Sequence, residues 1–324
     1  MGDVTDSEPP VDEAGRSPVA DAQALRQPGR DASTLRVTLA VAFTLICWAA
    51  AFVGIRVAAR DFSAGPLSFG RYVVASVVLL GWLAVTRTPV PARKDWLRLG
   101  VVGLIGITIY NLALNHGEKM IDAGSAAFLV NTAPLFTAIL AVLVLKERVT
   151  AITTGGMLLG FAGAMLLILG QGKGIGFGSA AVFILVAAVA FSLYFILQKP
   201  LLVTYTPLQV VSMAVWMGTV LMIPASLDIG KELAAAPASS LVVLALLGLF
   251  PGALAYVSWS YVLSHIPASK ASSFIYCVAP LTVLIGWVWL DEIPNLLSLA
   301  GGLVALAGVF VVSKWGKRTL RRSR

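Results

Sequence analysis

Residues 123–148 read AGSAAFLVNTAPLFTAILAVLVLKER: an apolar run long enough to cross a bilayer, with Pro134 near its middle and a charged end at Lys146, Glu147 and Arg148. Residues 268–293, ASKASSFIYCVAPLTVLIGWVWLDEI, repeat it. Phe128, Ala133, Pro134 and Leu135 recur 146 residues later as Phe274, Ala279, Pro280 and Leu281. One residue is then lost, and Leu145, Glu147, Gly156 and Gly163 recur 145 residues later as Leu290, Glu292, Gly301 and Gly308. Outward from this core, Gly106 and Tyr110 recur as Gly252 and Tyr256, while Trp48, Phe52 and Arg56 have Phe191, Phe195 and Lys199 as conservative counterparts. The chain is a duplication.

Its solvent is lipid. Hydrophobic residues make up 58% and charged residues 12%, too apolar a balance for a water-facing globule. The net charge of +8 is scattered over the ends of apolar runs and the tail Lys314 to Arg324, a pattern that sets membrane orientation rather than binding nucleic acid. Cys47 and Cys277 fall inside apolar runs and read as two separate buried thiols.

Ten apolar runs follow an acidic, proline-containing N-terminal tail, which lacks apolar periodicity and is expected to be disordered. They lie near residues 37–58, 67–86, 97–116, 123–145, 151–170, 177–198, 208–227, 240–262, 269–290 and 295–314. Continuous apolarity, without the alternation of a lipid-facing strand, predicts an all-α membrane protein. The organisation expected is a tail at 1–35, a first five-helix repeat at 36–170, a second at 171–315 and a basic tail at 316–324. Lys and Arg in the short loops put both ends in the cytoplasm. Because five is odd, the second repeat enters the membrane from the opposite side, giving two inverted repeats about a central site and hence alternating access.

Pro134 and Pro280 each remove a helical N–H, leaving the carbonyls of Val130 and Tyr276 in need of another partner. Paired mid-membrane breaks in corresponding halves point to a transport site, the alternative being two kinked helices. Around them stand the candidate substrate-binding residues. Arg71 either meets a substrate carboxylate or an internal acid, or snorkels to the outer surface. Tyr110 and Tyr256 lie one turn beyond a glycine and line a cavity or join an interfacial belt. Asn131, beside the carbonyl freed by Pro134, binds substrate or ties helices together. Trp48, Tyr194, Trp259 and Tyr276, with Gln198, Trp216 and Ser258, supply material for an aromatic and polar pocket. His116, Glu118, Asp122, Glu147 and Glu292 read as solvated ends, or as partners for Lys119, Lys146 and Arg148, before they read as a proton relay. Small-residue faces in the fifth run (Gly155, Gly156, Gly160, Gly163) and tenth (Gly301, Gly302, Ala305, Gly308) serve packing within one subunit or a dimer seam.

With these residues together, the chain resembles the EamA-type branch of the drug/metabolite transporter superfamily over about residues 36–315. The likeness rests on the basic-ended first run from Trp48 to Arg56, the start of the second from Pro66 to Arg71, and the Pro134 and Pro280 runs closing on Leu145-Lys146-Glu147 and Leu290-Asp291-Glu292. Arg56 departs from it, since many relatives carry lysine there. The resemblance implies a ten-helix carrier of the inner membrane, with helices 1 to 4 and 6 to 9 around a cavity and 5 and 10 outside it, and an exporter of amino acids or other small metabolites. A GxxxxGK[ST] loop is absent, so the carrier is secondary. With no metal-spaced cluster, no cofactor motif and no GxSxG, the expected catalytic, metal and cofactor residues are none. The partners expected are a small-molecule substrate and the bilayer, in a monomer or a homodimer. A membrane-embedded enzyme and a non-transporting scaffold or sensor are the alternatives.

Overall fold

The computed structural model describes residues 30–120, 123–170, 179–290 and 295–315. The expectations for Asp122, Asp291, Glu292, residues 1–29 and the basic tail lie outside the described residues.

These residues form α-helices, as the unbroken apolarity of the runs demands, and no strand occurs among them. The helices are α1 (Arg30–Ala58), α2 (Ala64–Thr86), α3 (Arg93–Glu118), α4 (Ala123–Val130 and Ala133–Leu143) and α5 (Ala151–Gly170). There follow α6 (Ser179–Leu201), α7 (Pro207–Leu221), α8 (Ala238–His265), α9 (Ala268–Ser273, Phe274–Cys277 and Val278–Leu290) and α10 (Leu296–Trp315). Among the described residues eight helices are long and apolar enough to cross a membrane, and Ala151–Leu167 and Pro207–Leu221 are shorter apolar helices. The chain divides at Leu39. Described residues before that point are the first turns of α1, where Thr38 Oγ1 donates to the Thr34 carbonyl at 2.9 Å; from Ala40 onward the chain is one compact unit.

Local chemistry sets the helix ends. Thr206 caps α7 through a reciprocal pair: its hydroxyl accepts from the Gln209 N–H at 3.3 Å, and its own N–H donates to Gln209 Oε1 at 2.9 Å. The run expected to reach residue 227 stops as an α-helix at Leu221, and Ile223–Ala225 is a 3-10 turn around Pro224, which lacks the N–H that would continue it.

The bundle has two ends. At one, the Tyr205 hydroxyl donates to Asp95 Oδ2 at 2.6 Å and Gln209 Nε2 donates to the Pro89 carbonyl at 2.7 Å. The start of α3, the start of α7 and the segment after α2 therefore lie together. The Asp95 carboxylate also pushes the Tyr205 phenol above its ordinary pKa. At the other end, Ser63 donates its N–H and hydroxyl to Glu232 at 2.9 and 2.6 Å, and Ser240 Oγ donates to Asp61 Oδ2 at 2.5 Å. These bonds join the end of α1 and the start of α2 to the short helix Ile229–Ala235 and the start of α8.

α5 and α10 pack backbone to backbone. A Cβ at Gly163 would run into the backbone N of Ala305, one at Gly308 into that of Gly160, and one at Gly301 into that of Leu167. In lipid, where burial between apolar helices gains little, such close approach is the main attraction available. The small-residue faces are thus used within one chain.

Candidate functional site

Aromatic residues at helical spacing on α1 and α6 meet at the centre of the bundle. The Trp48 ring lies 5.1 Å from Phe191, 5.2 Å from Trp259 and 5.9 Å from Tyr256. Phe191 stacks on Tyr110 at 4.6 Å and meets Phe195 at 4.4 Å, while Tyr256 lies 5.5 Å from Tyr194 and 6.2 Å from Tyr72. Five of the expected residues, Trp48, Tyr110, Tyr194, Tyr256 and Trp259, therefore join one cluster. Gly106 makes room for it, since a Cβ there would run into the Tyr194 ring.

Two helical irregularities that the sequence reading missed hold this cluster. Leu104–Ile109 in α3 and Gly248–Leu254 in α8 are π-helical, at corresponding places in the two copies. A wider turn frees carbonyls: Tyr256 Oη donates to Gly106 O at 3.4 Å and Asn111 Nδ2 to Ile107 O at 2.9 Å. The signal lay in Gly106, Gly252 and Pro251, each a residue that weakens α-helical continuity.

Between the rings and α2 is a cavity of about 30 Å³, lined by Trp48, Arg71, Tyr72, Tyr110, Asn111, Tyr256 and others. That is far too small for a metabolite, which fits only when helices part. Arg71 does not snorkel: it is 3% exposed. Its Nη1 donates to Asn115 Oδ1 at a long 3.4 Å, its guanidinium lies 5.9 Å from the Tyr72 ring centre, and its Nε has no hydrogen-bond partner. Asn115 Nδ2 in turn donates to Ser68 Oγ at 2.7 Å, holding α2 against α3 so that Arg71 faces inward. A buried guanidinium with spare donors is built for a carboxylate.

Two expected residues are not brought here. Tyr276 packs against Met157, Val309 and Val312, in the gap left by Gly160 between α5 and α10. Asn131 is buried at the break of α4 with neither amide atom hydrogen-bonded, and it does not line the cavity. Trp216 is likewise absent from the lining: its Nε1 donates to the Ser76 carbonyl at 3.1 Å, joining α7 to α2.

The proline-bearing helices are interrupted as their sequence requires. α4 breaks at Asn131–Thr132, where Thr132 Oγ1 donates to the Leu129 carbonyl at 2.7 Å and Ser192 of α6 donates to that of Ala133 at 2.8 Å. α9 passes through the 3-10 turn Phe274–Cys277, and Thr282 Oγ1 bonds to the Val278 carbonyl at 2.9 Å and to that of Ala49 in α1 at 3.4 Å.

Glu147 is a partner neither of Lys146 nor of Arg148. Lys146 takes a left-handed conformation (φ 56°), which turns the chain across the end of α4. The Glu147 carboxylate then accepts from the Ala268 N–H at 2.7 Å, the Ser269 N–H at 3.1 Å and Ser269 Oγ at 2.7 Å. It also lies 3.6 Å from Lys199 Nζ, which donates to the carbonyls of Leu263 and Ile266 at 3.2 and 2.6 Å. One carboxylate thus ties α4, α6, α8 and α9 together. Each such charge-assisted bond contributes about 1.5–3 kcal/mol. Glu147→Ala is expected to raise the thiol-labelling rate of a cysteine at the fully buried Ser272 by on the order of tenfold, measured with a membrane-impermeant maleimide. An unchanged rate would show that the four helix ends hold without it.

The sequence model of the EamA-like transporter family matches this chain twice, over residues 35–169 and 178–314. The chain belongs to the EamA-like transporter family. It is 34% identical over 288 residues to the "Probable terminal-alkyne amino-acid exporter" of Streptantibioticus cattleyicolor, covering 88% of this chain and 95% of that protein. It is 33% identical over 276 residues to the uncharacterized transporter YdfC of Bacillus subtilis, covering 85% and 90%. A protein crystal structure 17% identical in sequence superposes with a TM-score of 0.69 over 87% of this chain and 98% of that one, showing a shared fold. As an EamA-like transporter the chain is a transmembrane carrier and not an enzyme, and the narrow aromatic cavity is its candidate substrate site.

Proposed function

We propose that this EamA-like transporter exports an amino acid with an apolar side chain across the cytoplasmic membrane by alternating access. The observation that carries the reading is the cavity itself: the spare donors of Arg71 on one wall suit a carboxylate, and the rings of Trp48, Tyr110 and Tyr256 on another suit an apolar side chain. The relative named as an amino-acid exporter agrees with that chemistry.

The framework is ten spans in two inverted repeats. Its support is the double match to the family and the meeting of corresponding helices: α2 with α7 through Trp216, α3 with α8 through Tyr256, and α5 with α10 through their glycines. The contacts of the broken helices are also exchanged, α4 leaning on α6 through Ser192 and α9 on α1 through Thr282. α2 begins at the Glu232 end while α7 begins at the Asp95 end, as an axis in the membrane plane requires. Lys146 and Arg148 after α4, Lys199 in the last turn of α6 and Lys270 in the first segment of α9 lie at helix ends that the positive-inside rule makes cytoplasmic, and both termini go with them. One chain suffices, since the small-residue seam is filled internally.

The experiment is uptake of labelled L-propargylglycine, a terminal-alkyne amino acid, into inside-out vesicles from cells overproducing the protein. Accumulation or exchange above that of vesicles lacking the protein is the expected result. No movement of propargylglycine, norvaline or leucine would exclude apolar amino acids as the substrate class.

A further inference from the structure

The duplication lets the cavity wall be followed into the second half of the chain. Of the lining residues, Ala51 and Ile55 of α1 correspond to Tyr194 and Gln198 of α6, by the offset of 143 that pairs Trp48 with Phe191. Leu114 of α3 corresponds to Ser260 of α8, by the offset of 146 that pairs Tyr110 with Tyr256. Three apolar wall residues in one copy are thus a phenol, an amide and a hydroxyl in the other. The counterpart of Arg71, at the offset of 141 that pairs Pro66 with Pro207, is the neutral Ser212.

These polar residues meet. Tyr194 and Gln198 are one turn apart on α6, and Ser260 Oγ donates to Gln198 Oε1 at 2.6 Å. Tyr194, Gln198, Trp259 and Ser260 are fully buried, yet Gln198 Nε2, Tyr194 Oη and Trp259 Nε1 have no hydrogen-bond partner in the protein. The group stands behind the cavity: the Tyr194 ring lies 5.5 Å from Tyr256 and the Trp259 ring 5.2 Å from Trp48, and Tyr256 and Trp48 both line it. It belongs to the other half of the bundle. Gln198 adjoins Lys199, which pairs with Glu147, whereas Arg71 is about two turns into α2 from the Glu232 end.

A buried polar group without a partner costs about 1–3 kcal/mol, so three in one cluster are a poor way to hold helices together. An amide NH2, an indole N–H and a phenol O–H have donation in common. Together they suit an anionic oxygen.

We propose that Tyr194, Gln198 and Trp259 form a second station for the substrate carboxylate, on the Glu147 side of the aromatic cluster, occupied when the two repeats exchange their tilts. This rests on the inverted-repeat carrier of apolar amino acids proposed above. When the repeats exchange conformations, the wall positions of the first half come together and their counterparts in the second half part. Ser260 engages the amide oxygen of Gln198 and leaves its NH2 for the substrate. Neutral donors suffice there, because an amino acid zwitterion has no net charge and its carboxylate brings no unbalanced ion into the bundle.

The test is thiol labelling of Ser260→Cys in the full chain carrying Cys47→Ala and Cys277→Ala, in membrane vesicles of both orientations. The reagent is a membrane-impermeant maleimide and the ligand is L-propargylglycine. Leu114→Cys, on the cavity wall, is the reference. Labelling of Ser260→Cys is expected from the cytoplasmic face alone, slowed on the order of tenfold by saturating propargylglycine. Adding Gln198→Leu is expected to raise the concentration for half protection by about tenfold, as loss of one hydrogen bond to a charged group requires. Labelling from the outer face, no labelling, or labelling that propargylglycine leaves unchanged while it protects Leu114→Cys would overturn the station and leave the substrate reading standing. Half protection unmoved by Gln198→Leu would do the same. Protection of neither position would remove that reading, and this proposal with it.

Discussion

Arg71→Gln is expected to lower the kcat/KM for propargylglycine uptake by on the order of a hundredfold, corresponding to ~2.7 kcal/mol, within the range for loss of one partner of a buried charge-assisted pair. Glutamine keeps much of the volume but removes the charge and the planar fork of donors. Arg71→Lys restores the charge as a point without the fork and is expected to recover only part of the loss, about tenfold below wild type. The loss belongs to binding rather than folding, because Arg71 makes a single long hydrogen bond, to Asn115. Full transport by Arg71→Gln would dissociate this arginine from the substrate.

Gly163→Leu is expected to destabilise the protein by on the order of 3 kcal/mol, lowering its thermal midpoint in detergent by roughly 6–10 °C. The position has no slack. Even the first added carbon would run into the Ala305 backbone N, and the Gly301 carbonyl lies 2.7 Å from the same point. Backbone cannot swing aside as a side-chain tip does, so α5 and α10 must separate and forfeit their contact. Gly155, on the same helix but exposed with nothing within 4 Å of its added carbon, is the matched control. Gly155→Leu is expected to leave the midpoint unchanged. Equal midpoints for both variants would mean that the α5–α10 seam contributes little to stability.

Legibility differed from residue to residue. The breaks at Pro134 and Pro280 could be read because a missing N–H is a local property, and the structure interrupts α4 and α9 beside them. Trp48, Tyr110, Tyr194, Tyr256 and Trp259 could be picked out because repetition and aromatic spacing mark a face. Tyr276 carries the same kind of signal and goes elsewhere, since the gap at Gly160 admits its ring between α5 and α10. The paired π segments escaped notice because a wide turn differs from an α turn by one residue of register, a shift the apolar pattern tolerates.

Continuous apolarity and the repeat by themselves gave helices, their number of runs, the doubling and the family likeness, because each follows from the chain's local chemistry and its need for lipid. Which charges stay unpaired was decided by tertiary structure. Glu147 finds its donors 121 and 122 residues away, while Glu118, followed by a lysine like Glu147's neighbour in reverse, finds none. A carboxylate's surroundings depend on which helices converge on it, and convergence is set by packing over the whole bundle rather than by the residues on either side.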